Sequence, residues 1–302
     1  MRYLVTGGTG FIGSNIAMEL QRLGHEVLIT GGTNEEIPKG FKGKVLYPSF
    51  VGLDWDAIGK VDGVLHQAAN NDTTLLDKQE MFRINVDSSL RLFEQVVKQG
   101  CKRIVYASST AVYGNGPAPY KESQELEPLN PYAESKAELD RQAMAFAKAH
   151  PGVTVVGLRY CNVYGPGEAA KGKRATMIYQ LAQQMLKGNP RIFKHGEQKR
   201  DYIYVKDVVT ANVLGLKAKE SCVVNCGAGE ATSFNDIVAI LNEVLGLKRK
   251  PEYIDNPYID RYQNHTQCDM SLAKQKLGFV PQFPIRKGIR DYFENGFLVK
   301  TE

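Results

Sequence analysis

The feature that most constrains the fold is a glycine-rich segment close to the N-terminus, residues 3–23. An apolar run leads into Gly7, Gly10 and Gly13, and apolar residues at helical spacing follow. Glycine suits positions where the backbone turns with positive φ or where a phosphate approaches too closely for a Cβ. A helix N-terminus then offers N–H groups and a positive dipole end to a pyrophosphate. The order of strand, tight turn and helix predicts a dinucleotide-binding βαβ unit.

Short apolar runs alternate with helical patterns through the first half of the chain. The predicted strands are 2–6, 26–30, 44–47, 62–66, 103–107 and 153–160, and the predicted helices are 12–23, 79–98 and 132–149. Runs that are rich in Val, Ile and Leu are typical of strands buried on both faces. The pattern therefore predicts an α/β fold, a Rossmann-type doubly wound parallel sheet covered by helices.

The regular alternation weakens after Pro166. Helices are predicted over 174–187, 234–245, 270–277 and 284–295, and short strands over 191–193, 202–205 and 223–225. Ser233 is a candidate N-cap for the second of these helices. We predict a dinucleotide-binding domain over 1–165 and a smaller substrate-binding part over 166–302. The chain is expected to return to the first sheet near 200–226.

Charge and cysteine content exclude several classes of protein. The net charge of +5 on 302 residues is modest and dispersed, which fits an anionic substrate and does not indicate nucleic-acid binding. No apolar run approaches the length of a membrane span, and the N-terminus begins directly in a strand rather than in a signal peptide. The five cysteines form no disulfide or metal-binding spacing, so we expect reduced thiols, no metal and a cytoplasmic protein.

A serine, a tyrosine and a lysine indicate that the cofactor site belongs to an enzyme. Ser109 ends an apolar strand, and Tyr132 and Lys136 are four residues apart, so they share one face of a helix. A free phenol has a pKa of about 10, and a neighbouring ammonium and a cationic nicotinamide would favour the phenolate. Ser109 would hold the substrate oxygen. The alternative is a surface Tyr and Lys on an amphipathic helix.

Five ordered segments resemble the extended short-chain dehydrogenase/reductase family, and among its members the nucleotide-sugar epimerases. The segments are 6–13 (TGGTGFIG), 107–114 (ASSTAVYG), 131–136 (PYAESK), 158–166 (LRYCNVYGP) and 200–208 (RDYIYVKDV). The resemblance implies a tightly bound nicotinamide cofactor, a nucleotide-diphosphate sugar as substrate and a homo-oligomer. It implies cofactor binding by Gly7, Gly10, Phe11, Ile12, Gly13, Gly31, Lys39, Ala68, Asn85, Tyr132 and Lys136.

The end of the second predicted strand bears on the choice of cofactor. An acid at that place binds the ribose 2′-OH of NAD and repels the 2′-phosphate of NADP. Here the strand runs into Gly31, without an acid, and Lys39 follows a few residues later. Glu35 and Glu36 are interpreted as solvated loop charges. The sequence therefore slightly favours NADP over NAD.

Further matches resemble one branch, the ADP-glycero-manno-heptose 6-epimerases. Lys171 follows the Tyr-Gly-Pro segment and matches the second acid/base of that branch, which faces the tyrosine across the sugar. A solvated loop lysine is the alternative. Ser109 is followed by Thr110 and Ala111, so the acid that dehydratases use to eliminate water is missing. The resemblance also implies substrate contacts from Asn162, Arg200, Arg261 and Thr110.

Three functions remain at this point. The first is oxidation of a nucleotide-linked heptose to a ketone, followed by return of the hydride to the opposite face. The second is the same chemistry at C4 of a UDP-hexose. The third is a non-catalytic sensor that binds a dinucleotide, which loss of Tyr132 or Lys136 would have indicated, although both are present.

Overall fold

The structure is a computed structural model that describes residues 1–47, 50–72, 77–257 and 263–299. Its twelve strands are β1 (Arg2–Thr6), β2 (Glu26–Thr30), β3 (Lys44–Leu46), β4 (Gly63–His66), β5 (Arg103–Ser109), β6 (Thr154–Tyr160), β7 (Asn162–Tyr164), β8 (Arg191–Phe193), β9 (Lys199–Tyr204), β10 (Cys222–Cys226), β11 (Ala231–Ser233) and β12 (Glu252–Ile254).

Ten α-helices lie between and after these strands in the described ranges. They are α1 (Phe11–Arg22), α2 (Trp55–Ile58), α3 (Lys78–Phe82), α4 (Ser88–Lys98), α5 (Pro131–Ala149), α6 (Met177–Lys187), α7 (Val205–Gly215), α8 (Phe234–Leu245), α9 (Ser271–Leu277) and α10 (Ile285–Glu294). Among the residues described, no helix is both long enough and apolar enough to cross a membrane.

Seven parallel strands form the main sheet, in the order β10-β6-β5-β4-β1-β2-β3. Helices α1 and α7 cover one face of this sheet through residues such as Ile16 and Val208, and α4 and α5 cover the other through Phe93 and Leu139. Central strands are buried on both faces, which explains their continuous apolar sequence. The predicted fold class and the six predicted strands of the first half are confirmed.

The strand order places the point where the chain reverses direction across the sheet between β1 and β4. In a doubly wound sheet, ligands bind in the crevice outside the carboxyl ends of the strands at such a point. Gly7 follows β1 and Gln67 and Ala68 follow β4, so these two turns form the crevice. The glycine-rich segment is thereby located at the expected edge of the sheet.

A smaller part packs beside the main sheet around a three-stranded sheet, β11-β9-β7, and a strand pair, β12-β8. Its core contains Tyr164, Ile178, Leu181 and Ile237. Strand β10 adds to the main sheet as a parallel neighbour of β6, after β7, β8 and β9 have formed outside it. The two parts are therefore interleaved along the chain.

Two predicted helices differ from the structure. The segment 79–98 is interrupted by a π-helical turn over Arg83–Asp87, between α3 and α4. The predicted helix 174–187 begins three residues later, as α6, because Arg174 ends a 3₁₀-helix over Glu168–Arg174 and the backbone of Ala175 and Thr176 is extended. Ser233 caps α8 as predicted, in a reciprocal capping box with Asp236.

Candidate active site

The glycine turn after β1 is packed too tightly for a side chain at Gly7 and at Gly13. A Cβ at Gly7, where φ is 64°, would lie 2.9 Å from the Ala68 nitrogen, and one at Gly13 would lie 2.1 Å from the Gly7 carbonyl oxygen. Gly10 is the N-cap of α1 and supplies no capping side chain. The first N–H groups of α1 are thus left for a ligand, and the turn fits a pyrophosphate.

One cleft runs from this turn across the carboxyl ends of β4, β5 and β6 to the smaller part of the molecule. Its volume is about 2090 Å³, whereas a single small-molecule site has about 300–1000 Å³. A dinucleotide and a second nucleotide-linked ligand can therefore share it. Predicted site residues that line it are Gly7, Gly10, Phe11, Ile12, Gly13, Lys39, Ala68, Ser109, Tyr132, Lys136, Asn162, Lys171 and Arg200.

Tyr132 enters the cleft from the first turn of α5. Asn130 fixes this turn by accepting a hydrogen bond from the Ala133 nitrogen at 2.9 Å, with Pro131 at the first helical position. Burial raises the pKa of the Tyr132 phenol, and a hydrogen bond from the Ser109 hydroxyl partly offsets this rise. Ser109 is fixed in turn because its oxygen accepts the Ala111 N–H at 3.1 Å.

Lys136 lies beside the Tyr132 ring, on the same face of α5, as the spacing of four residues predicts. Its Nζ donates to the Ala107 carbonyl at 2.9 Å and lies 5.9 Å from the centroid of the Tyr132 ring. Burial lowers the pKa of Lys136 to about 8, against the opposing influence of Asp140. Below pH 8 the predicted ammonium is therefore buried beside the phenol, with the Ala107 carbonyl as its hydrogen-bond partner.

Lys171 reaches the same cleft from the 3₁₀-helix Glu168–Arg174. Its Nζ lies 5.7 Å from the centroid of Phe11, the first residue of α1. Burial lowers the pKa of Lys171 and Glu168 opposes that effect. Glu168 is itself buried and holds the segment by accepting the Gly165 and Thr176 N–H groups. The alternative of a fully solvated loop lysine does not fit this position.

The predicted diphosphate contacts divide into three groups. Arg200 lines the cleft with its guanidinium 6.0 Å from the Phe234 ring centroid, and Asn162 lines it beside Cys161. Arg261 lies outside the residues that the structure describes. Thr110 is buried behind the cleft wall, where its hydroxyl donates to the Tyr160 carbonyl at 3.2 Å. The predicted substrate contact from Thr110 is therefore not supported.

Asn85 does not line the cleft and instead supports its wall from the π-helical turn. Its amide oxygen accepts the Asn70 N–H at 2.8 Å, and its amide nitrogen donates to the Asn70 carbonyl and to the Ser135 hydroxyl. Ser135 then donates to the Tyr132 carbonyl at 2.7 Å. Asn85 thus holds the loop after β4 against the start of α5, rather than touching a cofactor.

The loop after β2 corrects the interpretation of the adenosine end. A Cβ at Gly31 would lie 2.4 Å from the Thr9 side chain, so Gly31 is closed by packing and lies outside the cleft lining. Glu35 instead turns back towards the strand end, where its carboxylate accepts the Thr9 hydroxyl and the Gly32 N–H. The acidic side chain of Glu35 therefore lines the cleft near the end of β2, where the sequence analysis found no acid on the strand itself, because the loop folds back to that place.

Two further cleft residues were missed from the sequence. Ser108 Oγ is buried and has no hydrogen-bond partner among the described residues, although Ser108 lines the cleft beside Ser109. Gln67 closes a ring in which Tyr160 donates to Gln67, Asn212 donates to Tyr160 and Gln67 donates to Asn212. The serine pair was a usable signal for Ser108. The ring joins residues far apart in sequence and had none.

Comparison with known proteins agrees with this geometry. The profile described as the NAD dependent epimerase/dehydratase family matches residues 3–227. An ADP-L-glycero-D-manno-heptose-6-epimerase of Brachyspira hyodysenteriae is 33% identical over 308 residues, covering 96% of this chain and 96% of that protein.

Two solved structures have a similar fold over nearly the whole chain. The ADP-L-glycero-D-manno-heptose-6-epimerase of Helicobacter pylori has a TM-score of 0.88 and 35% identity, and covers 97% of this chain and 95% of its own. The UDP-glucose 4-epimerase of Thermotoga maritima with UDP-glucose has a TM-score of 0.87 and 29% identity, and covers 98% and 99% respectively.

Proposed function

Because the chain belongs to the NAD dependent epimerase/dehydratase family and is an NAD-dependent nucleotide-sugar epimerase, we propose that its substrate is an ADP-linked heptose epimerised at C6. The observation that carries this proposal is the half-buried Lys171 in the cleft of Tyr132. Epimerisation inverts one carbon, so each hydroxyl epimer presents its proton on a different side. Two bases that line the same cleft, Tyr132 and Lys171, meet that requirement.

The proposed mechanism assigns one proton to each base. Tyr132 takes the hydroxyl proton of one epimer. The Ser109 hydroxyl donates a hydrogen bond to the phenol oxygen of Tyr132. Lys171 takes or returns the proton of the other epimer. Burial lowers the pKa of Lys171, so a larger fraction of it is the neutral amine that can accept a proton. A bound nicotinamide ring supplies hydride acceptance and return. Arg200 holds the diphosphate, for which the guanidinium fork is suited.

A substrate panel tests this proposal against its main rival. Purified protein with retained cofactor is incubated with both ADP-heptose epimers and with UDP-glucose, UDP-N-acetylglucosamine and GDP-mannose. Interconversion of the ADP-heptoses at least about tenfold faster than of any hexose, read by NMR, is expected, which equals about 1.4 kcal/mol of discrimination. Faster conversion of a UDP-hexose would replace the heptose with the substrate class of the Thermotoga neighbour.

For the cofactor we propose NAD as the preferred form, in place of the slight preference for NADP that the sequence favoured. The support is the Glu35 carboxylate at the end of β2, which would repel a 2′-phosphate and accept a ribose hydroxyl. Lys39 also lines the cleft and opposes this preference. We give Glu35 more weight than Lys39, because two hydrogen bonds fix the Glu35 carboxylate.

Glu35→Gln is the test of this cofactor proposal. Removal of the charge should shift the ratio of NAD to NADP affinity towards NADP by about tenfold, or about 1.4 kcal/mol. Calorimetry on protein stripped of cofactor measures both affinities, with Glu36→Gln as the matched control of equal charge. A ratio that moves equally in both variants would remove Glu35 from the selection of cofactor.

The domain boundary near residue 165, the cytoplasmic location and the homo-oligomer stay predictions of the sequence. Light scattering on the purified protein checks the last of these, with a mass above that of the 33.6 kDa chain as the expected result. The proposed reaction needs no nucleic acid, membrane or metal ion.

A further inference from the structure

Two of the five cysteines lie side by side at the floor of the substrate half of the cleft. Cys161 lines the cleft between β6 and β7 and is 6% exposed, whereas Cys268 lies behind it and is 2% exposed. Their sulfur atoms and a carboxylate oxygen of Asp201 all lie within 4.8 Å of one another. A reagent in the cleft can therefore reach the Cys161 thiol directly, and the Cys268 thiol only by way of Cys161.

The backbone holds both thiols in place. The Cys161 nitrogen donates to the Cys226 carbonyl at 3.0 Å, and the Cys268 nitrogen donates to Asp201 Oδ2 at 3.0 Å. A Cβ at Gly227 would lie 2.8 Å from Cys268 Sγ, so this glycine packs closely against the thiol.

The arrangement favours a thiol pair over a metal site. The Asp201 carboxylate already accepts the N–H groups of Ala228 at 2.7 Å, Gly229 at 3.0 Å and Cys268 at 3.0 Å. It is thereby committed to holding two backbone turns together. Within the described ranges, the cluster offers no fourth protein ligand, and a structural zinc site normally has four.

We propose that Cys161 and Cys268 form a reversible disulfide when the enzyme meets hydrogen peroxide, and that this bridge weakens substrate binding. Cys161 sulfur attacks a peroxide oxygen, the O–O bond breaks and water leaves, so Cys161 becomes a sulfenic acid. Cys268 sulfur then attacks the Cys161 sulfur, and the hydroxyl leaves with a proton as a second water. Two thiols are oxidised and one peroxide is reduced to two waters.

The order of these steps follows from access and acidity. The hydrogen bond with Cys161, and then burial, hold the pKa of the Cys268 thiol well above its usual range. Cys268 is therefore a poor first nucleophile, and the cleft-facing Cys161 reacts first. A nucleotide sugar in the cleft would cover Cys161 and should slow the oxidation.

The bridge would disturb the neighbouring substrate contact. Asn162 follows Cys161, and its amide donates to the Asp201 carbonyl at 2.9 Å and lies 3.4 Å from the Thr266 hydroxyl. A disulfide bond is about 2.05 Å long, so its formation draws the segments of Cys161 and Cys268 together. Displacement of Asn162 should then raise KM for the nucleotide sugar, an effect that rests on the proposed function, whereas bridge formation does not.

The test uses the purified holoenzyme treated with hydrogen peroxide. Blocking of free thiols followed by peptide mass mapping should find a Cys161–Cys268 bridge that dithiothreitol reverses and that substrate slows. KM should rise by roughly three- to tenfold, the loss of about one hydrogen bond, with retained cofactor unchanged. Cys268→Ser should keep its KM after peroxide, and Cys222→Ser, a buried thiol in β10, should respond as the wild type does.

Several results would overturn the proposal. Stable sulfinic acid at Cys161, or a bridge from Cys161 to Cys226, would show that Cys268 is not the resolving thiol. A Cys161–Cys268 bridge with unchanged KM for the best substrate of the panel would remove its effect on binding. Because the mass mapping is made on the wild type, a poorly folded Cys268→Ser variant does not affect the first result. Failure of the heptose assignment leaves the mapping intact, so the two failures are distinguishable.

Discussion

Tyr132 and Lys171 reach one cleft from differently built segments. Tyr132 lies in the first turn of the nineteen-residue helix α5, which packs on the main sheet. Asn130 caps that turn, and the Ser109 hydroxyl is hydrogen-bonded to the Tyr132 phenol. Lys171 lies on a 3₁₀-helix of seven residues that contains the left-handed Gly172, and its neighbours on that helix are largely exposed. One proposed base is held by a helix on the main sheet, whereas the other is held by a surface segment.

The difference suggests how one fold serves several sugars. In the proposed mechanism, the side built on β1, β4, β5 and α5 positions the cofactor and the first base, tasks common to every reaction of this kind. The side built on the Glu168–Arg174 segment can change its base and shape without disturbing the main sheet. Substrate choice is therefore expected to depend mainly on the Lys171 side.

The largest expected effect is on the side of the cleft built on β1, β4, β5 and α5, which we call the sheet-held side. Tyr132→Phe removes one hydroxyl that lines an open cleft, so fold and cofactor binding should persist while turnover falls by about 10²–10⁴. Turnover and retained cofactor are measured together, with the exposed Tyr47→Phe as control. Turnover close to that of the wild type would exclude Tyr132 as the base.

A second prediction concerns the buried Lys136 beside that base. Its pKa of about 8 lies below the ordinary 10.5, so folding penalises the protonated form. The penalty is complete below pH 8 and disappears as pH rises towards 10.5, where the unfolded chain also loses the proton. Below pH 8, Lys136→Met should raise the free energy of unfolding of the cofactor-free protein by up to about 3 kcal/mol, less the lost bond to Ala107.

Denaturant unfolding at several pH values checks this prediction. The difference between Lys136→Met and the wild type should shrink between pH 8 and pH 10, and the exposed Lys148→Met should show no such trend. A difference that is constant with pH would mean that Lys136 is not buried as a charge. The sheet-held side of the comparison would then be less rigid than its contacts indicate.

The smallest expected effect is that of a substitution at Gly172 in the surface segment, which is compared with the same substitution at Gly13 in the turn after β1. Gly172→Ala places a side chain at a φ of 54° in open space, so the strain of about 1–3 kcal/mol should be absorbed by the surface segment. Turnover should fall modestly while cofactor stays bound. Gly13→Ala is the matched variant: its Cβ would meet the Gly7 carbonyl at 2.1 Å, so cofactor should be lost. Equal cofactor loss in both variants would contradict the division of the cleft into a cofactor side on the main sheet and a separate Lys171 side.

The sheet-held side was also the predictable one. Regular strands, the glycine turn and the pair Tyr132 and Lys136 have fixed spacings, because periodicity and local turns encode them. The carboxylate of Glu35 was not predictable, since a loop carries it back to the end of β2. The contact of Cys161 with Cys268 and the support of Tyr132 by Asn85 likewise join residues far apart in sequence, where no local pattern specifies the distance.

The central claim is that Tyr132 and Lys171 serve opposite epimers. Lys171→Met is compared with Lys173→Met, an exposed lysine of the same 3₁₀-helix, in single-turnover reactions with each purified ADP-heptose epimer. The account predicts transient absorbance of reduced nicotinamide from one epimer only and no interconversion by NMR, whereas Lys173→Met interconverts both. Full epimerisation by Lys171→Met would contradict it and leave Tyr132 as the single base.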